Sequence, residues 1–291
     1  MQYGTVQYLA IDPMHEKEKA MGTVLSADGT AIRFDAWGSG RPLILIDGAT
    51  GYRAISQINA QVGELLGDGF RVYAYDRRGR GESATAAPYA VRREIEDLAA
   101  LIAEAGAPAI LCGFSSGAVL ALEAAVAGLP IAGLALFEPP FVVDDSRPPV
   151  PADYVQRLDA AVSDGRPGDA VELFLTSAAG MPAEYIPGMR QSPFWPVLEG
   201  VAHTLGYDGR IMGSTMSGAP LPADRWAAVD VPIVVMHGTG TEPWLIAAAT
   251  ALAGLLPTAS LQPVEGAQHS VAAEVLAAAL REFASAELAA G

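Results

Sequence analysis

The amino-acid sequence predicts an α/β protein: a mostly parallel central sheet of about eight strands, with helices on both faces and an inserted helical cap. Apolar runs of strand length alternate with helical segments, which is typical of parallel strands joined by crossover helices. About 85 residues without a strong strand interrupt this alternation after Glu138, too many for a simple loop. Apolar residues make up 51% of the 291 residues, enough for a full-sized core.

The first half of the chain alternates regularly between strands and helices. Residues 23–26 and 31–37 flank a turn and predict a hairpin, and the unbroken apolar run 43–46 predicts a strand buried on both faces. The next elements are predicted, in chain order, as helix 55–66, strand 71–75, helix 91–104, strand 109–112, helix 116–127 and strand 132–137.

The alternation returns near the end of the chain. The predicted elements there are strand 233–236, helix 244–255, strand 259–264 and helix 271–288. The first twenty or so residues are polar and show no clear period, which favours a loosely attached extension. The predicted organisation is therefore an N-terminal extension 1–21, a first part of the core 22–138, a helical cap 139–225 and a second part of the core 226–291.

Composition argues against several function classes. Eighteen Lys and Arg against 33 Asp and Glu give a net charge of −15, which disfavours nucleic acid as a partner. The single cysteine, Cys112, rules out an intrachain disulfide framework. The uncharged stretch 105–122 is broken by Pro108 and a glycine-rich run, so we expect a strand and a helix rather than a membrane span. The first ten residues have no basic, apolar signal pattern, so a cytoplasmic location is expected.

The glycine-rich run carries a candidate nucleophile. Residues 113–117 read Gly-Phe-Ser-Ser-Gly, which fits G-x-S-x-G between an apolar strand and an apolar helix. A serine on such a tight turn projects its hydroxyl from the sheet edge, and glycines on either side allow close packing. Ser115 is therefore the candidate nucleophile, and the alternative is a strand-to-helix turn without chemistry.

In this and other segments the chain resembles the α/β-hydrolase superfamily, over about residues 22–288. Residues 76–83 read Asp-Arg-Arg-Gly-Arg-Gly-Glu-Ser, similar to the Asp-x-Arg-Gly-x-Gly-x-Ser loop after the family's fourth strand. Residues 43–48 stand in the place of its third strand and oxyanion turn, and 232–238 resemble its late strand ending in His-Gly. Residues 266–269, Gly-Ala-Gln-His, are similar to the loop of its catalytic histidine.

A serine hydroxyl needs an adjacent base to attack at neutral pH. The chain has four histidines, His15, His203, His237 and His269. The family's order of nucleophile, acid and then histidine fits only His269. No histidine pair has metal-ligand spacing, so no metal site is expected.

The acid departs from the family's usual pattern. The resemblance places an aspartate where this chain has Thr241. A second placement in the superfamily, after the strand that follows the nucleophile helix, corresponds to Glu138. A glutamate closing an otherwise apolar strand is hard to explain as packing, so Glu138 is the preferred acid. Glu242, Asp144, Asp145 or no carboxylate at all remain the alternatives.

The oxyanion turn also departs from the family. Where the family commonly has His-Gly, this chain has Asp47 and Gly48. The donors that an oxyanion needs are backbone N–H groups, so Ala49 and Ser116 are predicted to supply them. We expect Asp47 to point away and to hydrogen-bond the loop.

Aromatic and methionine side chains in the predicted cap are candidates for substrate binding. These are Met181, Phe194, Trp195 and Tyr207, which would line an apolar pocket. The alternative is that they form the small core of the cap itself.

Together these residues predict a serine hydrolase that acts on an ester-like or other acyl carbonyl of a small, largely apolar substrate. Ser115 would form an acyl-enzyme, His269 would move the proton, Glu138 would orient His269, and no cofactor is needed. C–C bond hydrolysis, lactone opening, acyl transfer and peracid formation use the same residues and remain open, as do a ligand-binding member with a decayed triad and a non-enzymatic partner-binding protein. The oligomeric state is not predicted.

Overall fold

A computed structural model of the protein describes residues 19–290. Nine strands form one sheet in the order β1-β2-β4-β3-β5-β6-β7-β8-β9. The strands are β1 (Ala20–Leu25), β2 (Ala31–Trp37), β3 (Arg41–Ile46), β4 (Phe70–Tyr75), β5 (Ala109–Phe114), β6 (Ile131–Phe137), β7 (Ile233–Gly240), β8 (Ala259–Ala267) and β9 (Ser270–Val271).

Six neighbouring strands, β4-β3-β5-β6-β7-β8, are parallel, while β1, β2 and β9 pair antiparallel at the edges. Parallel strands end at one edge of the sheet, and in open α/β sheets ligands bind in the crevice outside those ends. This mostly parallel sheet agrees with the fold class predicted from sequence.

Helices cover both faces of the sheet. Helices α1 and α10 share one apolar core with it, and α2, α3 and α9 share the other. The helices are α1 (Gln57–Leu66), α2 (Val91–Ala105), α3 (Ser116–Val126), α4 (Tyr154–Ser163), α5 (Pro167–Leu173), α6 (Ile186–Arg190), α7 (Trp195–Val201), α8 (Leu205–Met212), α9 (Pro243–Leu255) and α10 (Ala273–Ala290). No helix among residues 19–290 has the length and apolar character needed to cross a membrane.

Strand β3 shows why its sequence is an unbroken apolar run. Leu43 and Leu45 point into the core with α1 and α10, whereas Ile44 and Ile46 point into the core with α2 and α3. All four side chains are fully buried. Successive side chains of a strand face opposite sides, so a strand covered by helices on both sides needs apolar residues at every position.

The insertion lies between β6 and β7. Its helices α4 to α8 span residues 154–212, as the absence of a strand pattern predicted. Leu158, Val171, Leu198 and Leu205 of these helices are buried in the same core as α2 and α3. The insertion therefore packs onto the face of the sheet that carries α3.

Several boundaries differ from the predicted ones. Strand β1 begins at Ala20, inside the predicted extension 1–21, and residues 1–18 of that extension lie outside the described part of the chain. Strand β8 extends to Ala267, and residues 270–271 form strand β9 rather than the start of the last helix. Pairing between β7 and β8 continues to Gly240 and Ala267, because the backbone supplies these hydrogen bonds whatever the side-chain pattern.

Candidate active site

Ser115 lies at a sharp turn between β5 and α3. Its backbone has φ 55° and ψ −125°, a conformation that L-residues rarely adopt. A Cβ atom on Gly117 would lie 2.4 Å from the Ile46 carbonyl oxygen, and one on Gly113 would lie 2.5 Å from the Ala118 Cα. The two glycines of the motif therefore permit the close approach of β3, β5 and α3 that forces the serine into this turn.

The turn after β3 lies against the candidate nucleophile. A Cβ atom on Gly48 would lie 2.8 Å from the Cβ of Ser115 and 3.4 Å from its Oγ. Ala49 follows Gly48 directly, and Ser116 is the first residue of α3. The two residues predicted to donate backbone N–H groups are thus next to Gly48 and Ser115 in the chain.

Glu138 and His269 are brought together across 131 positions of sequence. Glu138 Oε2 lies 2.5 Å from His269 Nδ1, and Glu138 Oε1 accepts a hydrogen bond of 2.8 Å from the Gly238 N–H. Glu138 is completely buried, whereas the side chain of His269 is 40% exposed. Both carboxylate oxygens are therefore engaged, and the imidazole keeps one edge open to solvent.

Phe137 connects these two residues to Ser115. Its carbonyl oxygen accepts a 2.9 Å hydrogen bond from the Ser115 N–H, and its ring centroid lies 6.4 Å from that of His269. Glu138 is the next residue in the chain. No hydrogen bond from Ser115 Oγ to another described residue is present.

Backbone strain is concentrated at this edge of the sheet. Within residues 19–290 the non-glycine residues with positive φ are Thr50, Ser115, Glu138, Gln268 and His269. Such conformations cost about 1–3 kcal/mol each and persist only where the surrounding structure imposes them. All five residues lie in the turns after β3, β5, β6 and β8, so the strain coincides with the candidate site.

The Asp47 side chain points toward α1. Its Oδ1 accepts a 3.0 Å hydrogen bond from Asn59 Nδ2, and the residue is buried. Burial raises the pKa of the Asp47 carboxyl above its ordinary value. The Asp47 carboxyl thus contacts helix α1 through Asn59 and the loop before it through Ser56.

The alternative acids lie elsewhere. Glu242 is exposed at the start of α9, and its side chain forms no helix-cap hydrogen bond. Asp144 is exposed in a loop, where it accepts a hydrogen bond from the Ser146 N–H. Thr241 is buried and its hydroxyl has no partner among the described residues.

The remaining described histidines have other surroundings. His237 is buried in β7, with its Nδ1 3.0 Å from the Gly238 carbonyl oxygen. His203 lies edge-on to the ring of Tyr207 in the insertion. His15 lies outside the described residues, so His269 is the histidine that the structure places beside Glu138 and Phe137.

The four residues suggested for substrate binding lie in different environments. Trp195 is buried in the core and donates from Nε1 to Glu199, and Tyr207 stacks on Tyr89 at 3.7 Å. Phe194 is 42% exposed, and Met181 packs against the edge of the core. These contacts favour packing roles for Trp195 and Tyr207.

Two surface depressions of about 490 and 270 Å³ occur in the described residues. The larger is lined by residues 144–149 with Ser217 and Gly218, and the smaller lies beside the end of α3. Neither depression is lined by Ser115 or His269.

The site includes charged residues that the sequence analysis did not select. Asp208 of α8 is buried and accepts hydrogen bonds from Ser116 Oγ at 2.7 Å, Arg77 Nη1 at 2.8 Å and Arg80 Nη2 at 2.6 Å. Burial opposes ionisation of Asp208, but the positive charges of Arg80 and Arg77 outweigh it, so its pKa lies below the ordinary value. An aspartate within a helical insertion has no local pattern that would reveal this contact.

Comparison with solved structures shows extensive likeness. The chain is 48% identical to an alpha/beta hydrolase from Sphaerobacter thermophilus, with a TM-score of 0.82, over 90% of this chain and 99% of that one. A thermophilic esterase from Thermogutta terrifontis, 23% identical, superposes with a TM-score of 0.66 over 92% of this chain and 99% of the esterase. At that identity the second likeness shows a shared fold.

Sequence comparison points the same way. The chain is 27% identical over 283 residues to the non-heme chloroperoxidase of Streptomyces lividans, covering 86% of this chain and 94% of that protein. A model of the alpha/beta hydrolase family matches residues 30–286, which include β5, the turn at Ser115 and the loop at His269. The chain belongs to the alpha/beta hydrolase family.

Proposed function

We propose that this protein is a serine hydrolase that cleaves an ester-like acyl carbonyl of a small, largely apolar substrate through an acyl-enzyme. The contact between buried Glu138 and His269 Nδ1, at the same sheet edge as the strained Ser115, is the observation that carries the proposal. A buried carboxylate paired with an imidazole beside a serine on a tight turn is the arrangement that nucleophilic catalysis requires.

Glu138 sets the protonation of the imidazole. A carboxylate accepts hydrogen bonds, so Oε2 at 2.5 Å keeps a proton on His269 Nδ1. The other ring nitrogen, Nε2, then carries the lone pair that can accept a proton from Ser115. Because the Gly238 N–H holds Oε1, the carboxylate cannot turn away from the ring.

The reaction then proceeds in two halves. Ser115 Oγ attacks the acyl carbon while its proton passes to His269 Nε2, and the same proton goes to the leaving group as the tetrahedral intermediate collapses. Water deprotonated by His269 attacks the resulting acyl-enzyme, and the acid product leaves with Ser115 restored. The backbone N–H groups of Ala49 and Ser116 bind the oxyanion in both halves.

The test uses a fluorophosphonate probe and short-chain aryl esters. Wild type is expected to be labelled at Ser115 and to hydrolyse the esters, and Ser115→Ala is expected to lose both properties. Ser163→Ala, an exposed serine at the end of α4, serves as the matched control and should behave as wild type. Labelling or turnover that survives in Ser115→Ala would refute the assignment of the nucleophile.

A second candidate activity is the formation of a peracid. The likeness to the non-heme chloroperoxidase over 86% of the chain favours it. Here hydrogen peroxide replaces water as the attacking molecule, so that the acyl-enzyme releases a peroxycarboxylic acid and free Ser115. Adding peroxide to an ester assay and following bromide oxidation distinguishes the two, because only the peracid oxidises bromide rapidly.

A further inference from the structure

The guanidinium group of Arg80 lies beneath the turn after β3. Its side chain is 1% exposed, so its contacts are made without competing water. Nη1 donates to the Gly48 carbonyl oxygen at 2.5 Å, Nη2 to Asp208 Oδ2 at 2.6 Å, and Nε to Thr204 Oγ1 at 3.1 Å. Every edge of the guanidinium is thus engaged, and one hydrogen bond goes to the backbone beside Ser115.

The bond to Gly48 fixes the direction of the next N–H group. In a planar trans peptide the carbonyl of one residue and the N–H of the following residue point in opposite directions. The Gly48–Ala49 peptide is trans. With its oxygen held toward Arg80, the Ala49 N–H must point to the opposite side, and the guanidinium charge polarises the peptide so that this N–H becomes a stronger donor.

Arg77 holds the preceding carbonyl in the same way. Its Nη1 lies 3.2 Å from the Asp47 carbonyl oxygen, and its Nε and Nη2 bind the two oxygens of Glu94 at 2.7 and 2.8 Å. Glu94 lies on helix α2, so two successive carbonyls of the turn are anchored to rigid parts of the core. These two bonds restrain two adjacent peptides, Asp47–Gly48 and Gly48–Ala49, from rotating.

Asp208 joins the two donor segments. It accepts from Ser116 Oγ through Oδ1 and from Arg80 through Oδ2. It belongs to α8, so a helix of the insertion contacts both the residue after the nucleophile and the arginine under the turn. The formal charges of Arg77, Arg80, Glu94 and Asp208 cancel. The buried Asp47 carboxyl also interacts with these two arginines, and burial raises its pKa above the ordinary value.

We propose that Arg80 and Asp208 are positioning residues that aim the Ala49 and Ser116 N–H groups at the reacting carbonyl, so that the insertion completes the oxyanion site. This inference rests on the proposed function, because it assigns a purpose to the same two donors. Neither side chain would touch the substrate. Both would act by fixing the backbone whose N–H groups bind the reacting carbonyl.

The test compares Arg80→Gln and Asp208→Asn with Asp159→Asn. Asp159 is the matched control, because it pairs with Arg210 of the same helix α8 on the exposed side. The measurements are kcat and KM for an aryl acetate and the inhibition constant of an aryl trifluoromethyl ketone. The tetrahedral adduct of this ketone carries an oxyanion, whereas the bound ester does not.

The expected result is a fall in kcat of about 10- to 100-fold in Arg80→Gln and Asp208→Asn, since loss of a whole oxyanion donor costs about 10²–10³-fold. KM should stay near the wild-type value, and the inhibition constant of the ketone should rise by the same factor by which kcat/KM falls. Asp159→Asn should match wild type in all three quantities. A wild-type kcat, or a loss of kcat with unchanged ketone affinity, would overturn the positioning role. If Arg80→Gln does not fold, Arg80→Lys, which keeps a cation opposite Asp208, is judged by the same criteria.

Failure of the proposed function gives a different result. In that case wild type itself neither hydrolyses the ester nor takes the fluorophosphonate at Ser115, and the positioning role is overturned with it. An active wild type whose Arg80→Gln variant is equally active overturns the positioning role alone.

Discussion

Replacing Glu138 by glutamine changes one oxygen to an amide nitrogen at the centre of the candidate site. The Gly238 N–H needs an acceptor, so the remaining oxygen of the glutamine must face it, at the 2.8 Å position that Oε1 now occupies. The amide NH₂ then faces His269 Nδ1. An NH₂ group donates, so Nδ1 must lose its proton and Nε2 must carry it.

This exchange of tautomers removes the lone pair that would accept the proton of Ser115. Loss of the correct tautomer in a Ser-His-acid triad lowers kcat by about 10⁴-fold, or about 5 kcal/mol in activation free energy. The stability of the fold should change much less, because both polar atoms of the buried side chain keep a hydrogen-bond partner. We expect the free energy of unfolding to fall by less than about 2 kcal/mol.

The assay is aryl-ester turnover under saturating substrate, with urea denaturation as the measure of stability. Glu242→Gln is the matched control, since it makes the same change at an exposed carboxylate at the start of α9. It should leave kcat near the wild-type value, because the Glu242 side chain is exposed. A Glu138→Gln variant that is folded and keeps the wild-type kcat would refute the reasoning. The role of the acid would then have to be assigned to Glu242 or another carboxylate.

Three further outcomes are expected. Gly117→Ala should lower the free energy of unfolding by about 1–3 kcal/mol in urea denaturation, because its Cβ would lie 2.4 Å from the Ile46 carbonyl oxygen; wild-type stability would contradict that packing. Burial raises the pKa of the Cys112 thiol to about 12, so iodoacetamide at pH 8 should label it only after denaturation, and rapid labelling of native protein would contradict its burial. The charge of Arg80 helps to hold the pKa of Asp208 below its ordinary value of 3.8, so the stabilisation that Asp208 provides is complete above that pH and is lost as the pH falls through the lower, folded-state value. The loss of stability in Asp208→Asn should therefore be full at pH 7 and shrink below pH 3.8, and a loss that does not depend on pH would exclude this linkage.

The central strands could be predicted because their burial on both faces requires an unbroken run of apolar residues. Residues 43–46 are covered by helices on both sides, so every position is apolar and the run is unmistakable. Strand β9 and the last residues of β8 have no such apolar run. Val264 is buried but Ala267 and Ser270 are exposed, so only backbone pairing identifies them as strand.

The residues of the candidate site also fall into those that the sequence could identify and those that it could not. Ser115 and His269 stand in local motifs, so the sequence alone selects them. Glu138 was selected because a carboxylate is out of place at the end of an apolar strand, but its contact with His269 spans 131 positions and depends on how β6 and β8 are placed. Asp208 was missed, because a polar residue in a short helix is typical of a solvent-exposed face.

The sequence by itself determined the α/β class and the strained serine turn, because strand periodicity and close glycine packing are local properties. Only the tertiary structure decided which carboxylate contacts the imidazole and which charged side chains bind the turn after β3. These contacts join residues far apart in the chain, and their energies depend on burial. Local sequence gives the chemistry of a side chain, whereas its partners are set by the strand order of the sheet and by where the inserted helices pack.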